Sequence, residues 1–241
     1  MLRGIEREAL RIDENGHLAQ DEHPKALGSA LTNSRITTDY SEALLEFITP
    51  VSHNIDDLLE GLTQTHAYSV RNLNGQKLWP VSMPCYIGDV ANIPVARYGV
   101  SNTGKMKTLY RKGLTHRYGA LMQIIAGVHF NFSVSNELWQ RLYDDKIANG
   151  NGNACCNKSN TFEDFVSESY FGLIRNYRRL VWVLPYLFGS TPALCSSFIK
   201  DQDVDFEFKN RLLQGAAGMF FNEAMNMVVR SFERRAAELD G

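Results

Sequence analysis

The sequence predicts an α+β protein, because strand-like and helix-like stretches both occur and are separated along the 241-residue chain. Strand patterns occur at 3–12, in ALLEFITPV (43–51) and in GVHFNFSV (127–134). Apolar residues at helical spacing occur at 54–73, 105–124 and 162–189. A hydrophobic content of 44% supplies enough apolar side chains for a core.

The first strand, RGIEREALRI (3–12), places two carboxylates among apolar residues. Side chains alternate between the two faces of a strand. The face that carries Arg3 and Ala9 is therefore separate from the face shared by Glu6, Glu8 and Leu10.

The helical stretches carry several boundary signals. Asn54 is a suitable cap for the first helix. The second is predicted to continue through Gly113 and Gly119, and Pro185 lies near the end of the third. We expect their aromatic residues to pack in the core, namely Tyr110, Tyr118, Tyr170, Phe171 and Tyr177.

Composition excludes several classes of protein. The 25 basic and 27 acidic residues give a net charge of −2, and no basic cluster indicates nucleic-acid binding. No apolar run of about 18 residues predicts a membrane span. Cys155 and Cys156 are adjacent, which suits neither an ordinary disulfide nor a zinc knuckle, and Cys85 and Cys195 are the other two cysteines. A reducing cytoplasm is the simplest expectation.

Polar side chains share a face with apolar neighbours in all three strands. They are Glu6 and Glu8, then Glu46, then His129 and Asn131, with Asp39 just before the second strand. Clustered carboxylates need cations or donors, and Mg²⁺ with nucleotide phosphates is one common solution. The alternatives are surface salt bridges to Arg3, Arg7 and Arg11, and a hydrogen-bonded core role for His129. Neither a Walker motif nor a dinucleotide-binding fingerprint is present.

Several long segments resemble the bacterial glutamate–cysteine ligase family. They are GIEREALR, HPKALGSALTNSRITTDYSEALLEFITPV, LWPVSMPC, YGVSNTGKMKTLYRKGLTHRYGALMQIIAGVHFNFS and IRNYRRLVWVLPYLFGSTPALCSSF. The resemblance extends from about Arg3 to about Ile199, and its motifs are long and in order.

This resemblance implies a curved antiparallel sheet similar to that of glutamine synthetase, with helices on its outer side. It implies ATP-dependent joining of the glutamate γ-carboxylate to cysteine through a γ-glutamyl phosphate, with Mg²⁺. The residues that match its metal and phosphate positions are Glu6, Glu8, Asp39, Glu46 and His129. Those near the amino-acid substrates are Tyr40, Gln123 and Asn131, together with Tyr110 and Arg111, which we expect to be catalytic.

The family pattern predicts two parts: an N-terminal part of the ligase domain at 1–200 and an unrelated tail at 201–241. The tail reads as a strand end and an amphipathic helix, similar to the end of a coenzyme Q-binding or polyketide-cyclase-like START domain. Family members begin earlier and continue further, so we expect an incomplete sheet with an exposed edge, poor stability and self-association. The alternatives to a ligase are an inactive remnant that binds Mg²⁺-nucleotide and a lipid or quinone module.

Overall fold

The computed structural model describes residues 1–84, 87–148 and 161–189. Its strands are β1 (Leu2–Ile12), β2 (Ile36–Thr38), β3 (Leu44–Ile48), β4 (Lys77–Leu78) and β5 (Val128–Ser133). Its helices are α1 (Ile55–Arg71), α2 (Asn102–Tyr118), α3 (Asn136–Ala148), α4 (Phe162–Leu180) and α5 (Val183–Phe188). Short 3-10 turns occur at Lys25–Leu27, Val90–Asn92 and Leu121–Ile124.

The sheet is built around β1. Strand β3 pairs along one part of β1 and itself pairs with β2, whereas β5 pairs with β1 over Leu2–Arg7 and β4 pairs with it at Arg11 and Ile12. Every one of these pairings is antiparallel. The predicted α+β class with an antiparallel sheet is confirmed.

The C-terminal half of β1 is buried on both faces. Ala9 packs with Leu45 and Phe47 in the cluster to which Leu62 of α1 contributes. On the opposite face, Leu10 and Leu44 join a second apolar cluster. Burying each such leucine contributes about 2 kcal/mol. The part of β1 that carries Glu6 and Glu8 therefore extends from a firmly packed end.

Arg11 is a core residue rather than a surface partner of the carboxylates. Its side chain is 1% exposed and donates to Gln76 Oε1 at 2.6 Å and to the carbonyl oxygens of Asp21, Glu22 and Glu42. Among the described residues, no ion pair joins Arg3, Arg7 or Arg11 to an acidic side chain. The surface salt-bridge interpretation is wrong for these three arginines.

Two helix boundaries differ from expectation. Helix α1 begins after Asn54, as predicted. The side chain of Asn54 accepts a hydrogen bond from the backbone N–H of Asp56 at 3.0 Å. The second helix stops at Tyr118 instead of continuing to 124, because Gly119 takes a φ of 78° and closes it. The third is interrupted between α4 and α5, and Pro185 lies within α5.

The aromatic residues of the helices are more exposed than expected. Tyr110, Tyr118, Phe171 and Tyr177 are all exposed, whereas Tyr170 is half-buried and accepts from the backbone N–H of Val134. Their assignment to the core is wrong except in part for Tyr170.

Strand β5 presents an exposed apolar face. Val128, Phe130 and Phe132 are 63%, 59% and 47% exposed, and within the described ranges β5 pairs with β1 alone. The expected exposed edge is therefore present, while self-association stays a prediction. No described helix is long and apolar enough to cross a membrane. The four cysteines and the tail at 201–241 lie outside the described residues.

Candidate functional site

Strand register brings the predicted acidic residues onto one face of the sheet. Glu8 lies directly opposite Glu46 of β3. On the other side of β1, Glu6 lies opposite His129, and Gly4 lies opposite Asn131. The polar face predicted from alternation is confirmed.

Glu8 and Glu46 form a close pair across the sheet. The backbone N–H of Thr49 donates to Ile5, and that of Arg11 donates to Ala43, so the odd-numbered residues of β1 form the hydrogen bonds to β3. Glu8 and Glu46 thus occupy a non-hydrogen-bonded position, where facing side chains approach most closely. Two like charges directly opposite each other are destabilising.

Burial first, and crowding second, raise the pKa of these two carboxyl groups. Burial, followed by the charges of Asp39, Glu8 and Glu6, raises the pKa of Glu46 to about 7. Burial also raises the pKa of Glu8, and the backbone N–H of Gly127 opposes that rise. His129 lowers the pKa of both groups. The cluster is therefore short of positive charge, as expected of a cation site.

Glu6 is held by the neighbouring strand. His129 Nδ1 lies 3.2 Å from Glu6 Oε2, and Asn131 Nδ2 donates to Glu6 Oε1 at 2.9 Å. Both oxygens of Glu6 thus have a partner on β5, and Nε2 of His129 forms no hydrogen bond within the described part of the chain.

Asp39 and Arg111 form the next part of the site. Arg111 Nη2 donates to Asp39 Oδ1 at 2.9 Å, and its Nε donates to the Asp39 carbonyl oxygen. The guanidinium lies 4.6 Å from the ring centre of Tyr98, whose hydroxyl donates to the carbonyl oxygens of Thr38 and Asp39. Burial raises the pKa of Tyr98, so the hydroxyl stays protonated and can donate. Arg111 is consequently tied to the acidic face through Asp39.

The remaining predicted substrate residues are not brought together with the carboxylates. Tyr40 is 1% exposed, and its hydroxyl lies 2.6 Å from Thr115 Oγ1 in the core. Tyr110 is 63% exposed on α2, and Gln123 is half-buried in the turn before β5. Within the described residues, none of these three side chains hydrogen-bonds to a predicted metal ligand.

The face can accommodate Mg²⁺ only with help from water or a ligand. Across residues 1–84, 87–148 and 161–189, no three His, Cys, Asp or Glu side chains converge to hold a metal ion. Mg²⁺ usually keeps several waters and binds one or two carboxylates plus substrate phosphates, so a closed protein cage is not required. Glu46 has no protein donor among the described residues, and its oxygen chemistry suits Mg²⁺. The donor set therefore fits a hydrated Mg²⁺–nucleotide.

Three residues that support the site or its surroundings were not identified from the sequence: Glu42, Tyr98 and Gly127. Glu42 and Tyr98 act through bonds to distant backbone groups, for which no local pattern exists. Gly127 N–H donates to Glu8 Oε2 at 2.6 Å. Its position immediately before the alternating segment was the one signal available.

A cavity of about 850 Å³ lies elsewhere and contains none of the predicted metal ligands. Its lining includes Lys25, Lys105 and Lys112 together with buried Glu42. The predicted ligands instead lie on the carboxylate face, where strand register places Glu8 opposite Glu46.

Comparison with known proteins connects this face to one family. The family model described as glutamate-cysteine ligase matches residues 1–221. A glutamate–cysteine ligase of Shewanella oneidensis is 75% identical over 209 residues, which are 87% of this chain and 38% of that protein. The chain therefore spans about 38% of the length of this curated relative.

Two solved structures have the same fold. The crystal structure of glutamate–cysteine ligase from Francisella tularensis in complex with AMP has a TM-score of 0.73 and 38% identity, covering 85% of this chain and 38% of that one. A bifunctional glutathione synthetase from Pasteurella multocida has a TM-score of 0.70 and 28% identity, covering 86% of this chain and 25% of its own. The family match continues past residue 200, so the separate origin of 201–241 stays a prediction.

Proposed function

The chain belongs to the glutamate–cysteine ligase family, and we propose from this premise that it supplies the Mg²⁺–nucleotide face of an ATP-dependent ligase. The reaction joins the γ-carboxylate of glutamate to the amino group of cysteine and gives γ-glutamylcysteine. The observation that carries the proposal is the directly opposed pair of Glu8 and Glu46, with a raised pKa on both.

The proposed reaction has two steps. A γ-carboxylate oxygen of glutamate attacks the terminal phosphorus of ATP, giving γ-glutamyl phosphate and ADP. The amino group of cysteine then attacks the acyl carbon, loses a proton, and inorganic phosphate leaves. Glu46 and Glu8 would hold Mg²⁺, which would supply positive charge to offset the negative charge that develops during phosphoryl transfer.

The residues of this chain take separate parts in that proposal. Glu46 and Glu8 would hold the cation, with Glu6 and His129 completing the polar face. Asp39 orients Arg111, because two of its guanidinium nitrogens bond to that residue. A planar guanidinium placed in this way suits a carboxylate or phosphate of a substrate. The substrate roles of Tyr40, Tyr110, Gln123 and Asn131 stay predictions.

A turnover assay tests the proposal. The full chain is incubated with Mg²⁺, ATP, glutamate and cysteine, and ADP and γ-glutamylcysteine are both measured. We expect both products in equal amounts, with loss of both in Glu46→Ala and no loss in Glu14→Gln, an exposed glutamate outside the site. Absence of both products with the unaltered chain contradicts catalysis.

The second candidate is a non-catalytic chain that binds Mg²⁺-nucleotide. It is favoured by the lack of a convergent metal set among the described residues. Calorimetry with Mg²⁺ and a non-hydrolysable ATP analogue separates the two: binding without turnover supports this candidate, and no heat of binding removes it. For either candidate we propose a cytoplasmic location, where ATP is available and cysteine is kept reduced.

A further inference from the structure

Gly127 makes two backbone contacts with Glu8. Its N–H donates to Glu8 Oε2 at 2.6 Å, and its carbonyl oxygen accepts from the Glu8 backbone N–H at 2.9 Å. The same residue thus fixes both the main chain and one carboxylate oxygen of Glu8. A carboxylate with one oxygen held in this way presents its other oxygen in a defined direction.

The position also leaves a small space beside two candidate ligands. A Cβ added to Gly127 would lie 3.4 Å from Glu8 Oε2 and 3.4 Å from His129 Nε2. These are ordinary van der Waals distances, so a methyl group would fit by occupying the space between the two atoms. The three nearest atoms all belong to side chains of Glu8 and His129, and none belongs to the backbone.

Backbone conformation does not account for this glycine. The described glycines with positive φ are Gly16, Gly28, Gly75, Gly99, Gly119 and Gly189. Gly127 is outside that set, so an alanine can adopt its conformation. What glycine provides here is a methyl-sized space between the side chains of Glu8 and His129.

We propose that Gly127 is a positioning residue of the cation site: its N–H directs Glu8, and its missing side chain keeps room for one water molecule of hydrated Mg²⁺ beside Glu8 and His129. The inference rests on the proposed function. Mg²⁺ retains several water molecules at about 2.1 Å, and a methyl group in contact with both side chains would displace one of them.

Gly127→Ala tests the space without removing the N–H. Gly113→Ala is the matched control, because a Cβ at Gly113 has no atom within 4 Å. The readouts are the melting temperature without metal and the calorimetric affinity for Mg²⁺ with a non-hydrolysable ATP analogue. We expect Gly127→Ala to weaken that affinity about 10-fold, the lower end for losing a supporting group at a metal site, with little change in melting temperature. Gly113→Ala should leave the affinity unchanged.

The outcomes separate this inference from the proposed function. Equal affinity in the unaltered chain and Gly127→Ala overturns the role of Gly127 and leaves the nucleotide face intact. No binding by the unaltered chain overturns the proposed function itself. A measurement on the unaltered protein covers the case in which the variant does not fold: Mn²⁺ should broaden the amide NMR signal of Gly127 among the first. A sharp Gly127 signal while others broaden overturns the inference.

Discussion

Glu42 and Glu46 lie four residues apart, yet their carboxylates differ in burial and in hydrogen-bond donors. Glu42 is 4% exposed, and each oxygen accepts a backbone N–H, from Arg97 at 2.7 Å and from His23 at 2.9 Å. Glu46 is half-buried and has no such donor within the described residues. The first carboxylate is hydrogen-bonded into the fold, and we propose that the second is left for a ligand.

Their electrostatics follow from that difference. Burial is the largest influence on both and raises the pKa of each. At Glu42 the two N–H donors and the charge of Arg11 oppose the rise. At Glu46 the next influences are Asp39, Glu8 and Glu6, which raise it further, to about 7. Burial with donors supplied therefore marks the structural role of Glu42, and we propose a binding role for Glu46, where burial is partial and such donors are missing among the described residues.

The largest expected effect on stability comes from changing Glu42, the carboxylate with the structural role. Glu42→Gln should lower the free energy of unfolding by about 3 kcal/mol, because one amide oxygen cannot accept both N–H groups and one buried donor is left unsatisfied. Urea unfolding at neutral pH measures it, with Glu14→Gln as the exposed control. A loss below about 0.5 kcal/mol, the range of ordinary surface changes, would contradict the structural role.

A smaller loss of stability is expected at Tyr98, whose ring packs against Arg111 and whose hydroxyl bonds to the backbone at Asp39. Tyr98→Phe removes the hydroxyl that donates to the carbonyl oxygens of Thr38 and Asp39 but keeps the ring under Arg111. Urea unfolding should show a loss of about 1.5 kcal/mol, since two acceptors lose a buried donor. Tyr118→Phe, at an exposed tyrosine, is the control, and an equal effect in both variants would remove the special role of Tyr98.

Local patterns predicted the elements on which the site is built. Alternation placed Glu6 with Glu8 on one face of β1 and His129 with Asn131 on one face of β5, because a period of two fixes the face once the strand is identified. The strand register is what brings these residues and Glu46 onto the same face of the sheet. Helix α1 was likewise predicted from its spacing and its Asn54 cap. The end of α2 was missed, since a glycine within helical spacing can either continue the helix or close it, and only the φ of Gly119 decides.

Hydrogen bonds between residues far apart in the sequence explain most of the positions that the sequence did not predict. Arg11 was expected at the surface because a charged residue in a strand usually is, but its partners include Gln76, 65 residues away. Glu42 depends on Arg97 at a similar separation. The family resemblance indicated Tyr40 as a substrate residue, whereas its position in the core follows from contacts with α2 that no local pattern encodes.

The smallest expected effect has the opposite sign and depends on pH. A raised pKa means that folded Glu46 binds its proton more tightly than in the unfolded chain, so this group's contribution to stability is lost as pH rises from 4.5 to about 7. Glu46→Gln removes that loss. Above about pH 7 the variant should be more stable by about 1 kcal/mol, a value reduced because the side chain is only half-buried. Near the ordinary glutamate pKa of 4.5 the two proteins should unfold alike. Urea unfolding across this range in metal-free buffer measures the difference, and a stability difference that is constant with pH would show that burial and the charges of Asp39 and Glu8 do not raise the pKa of Glu46.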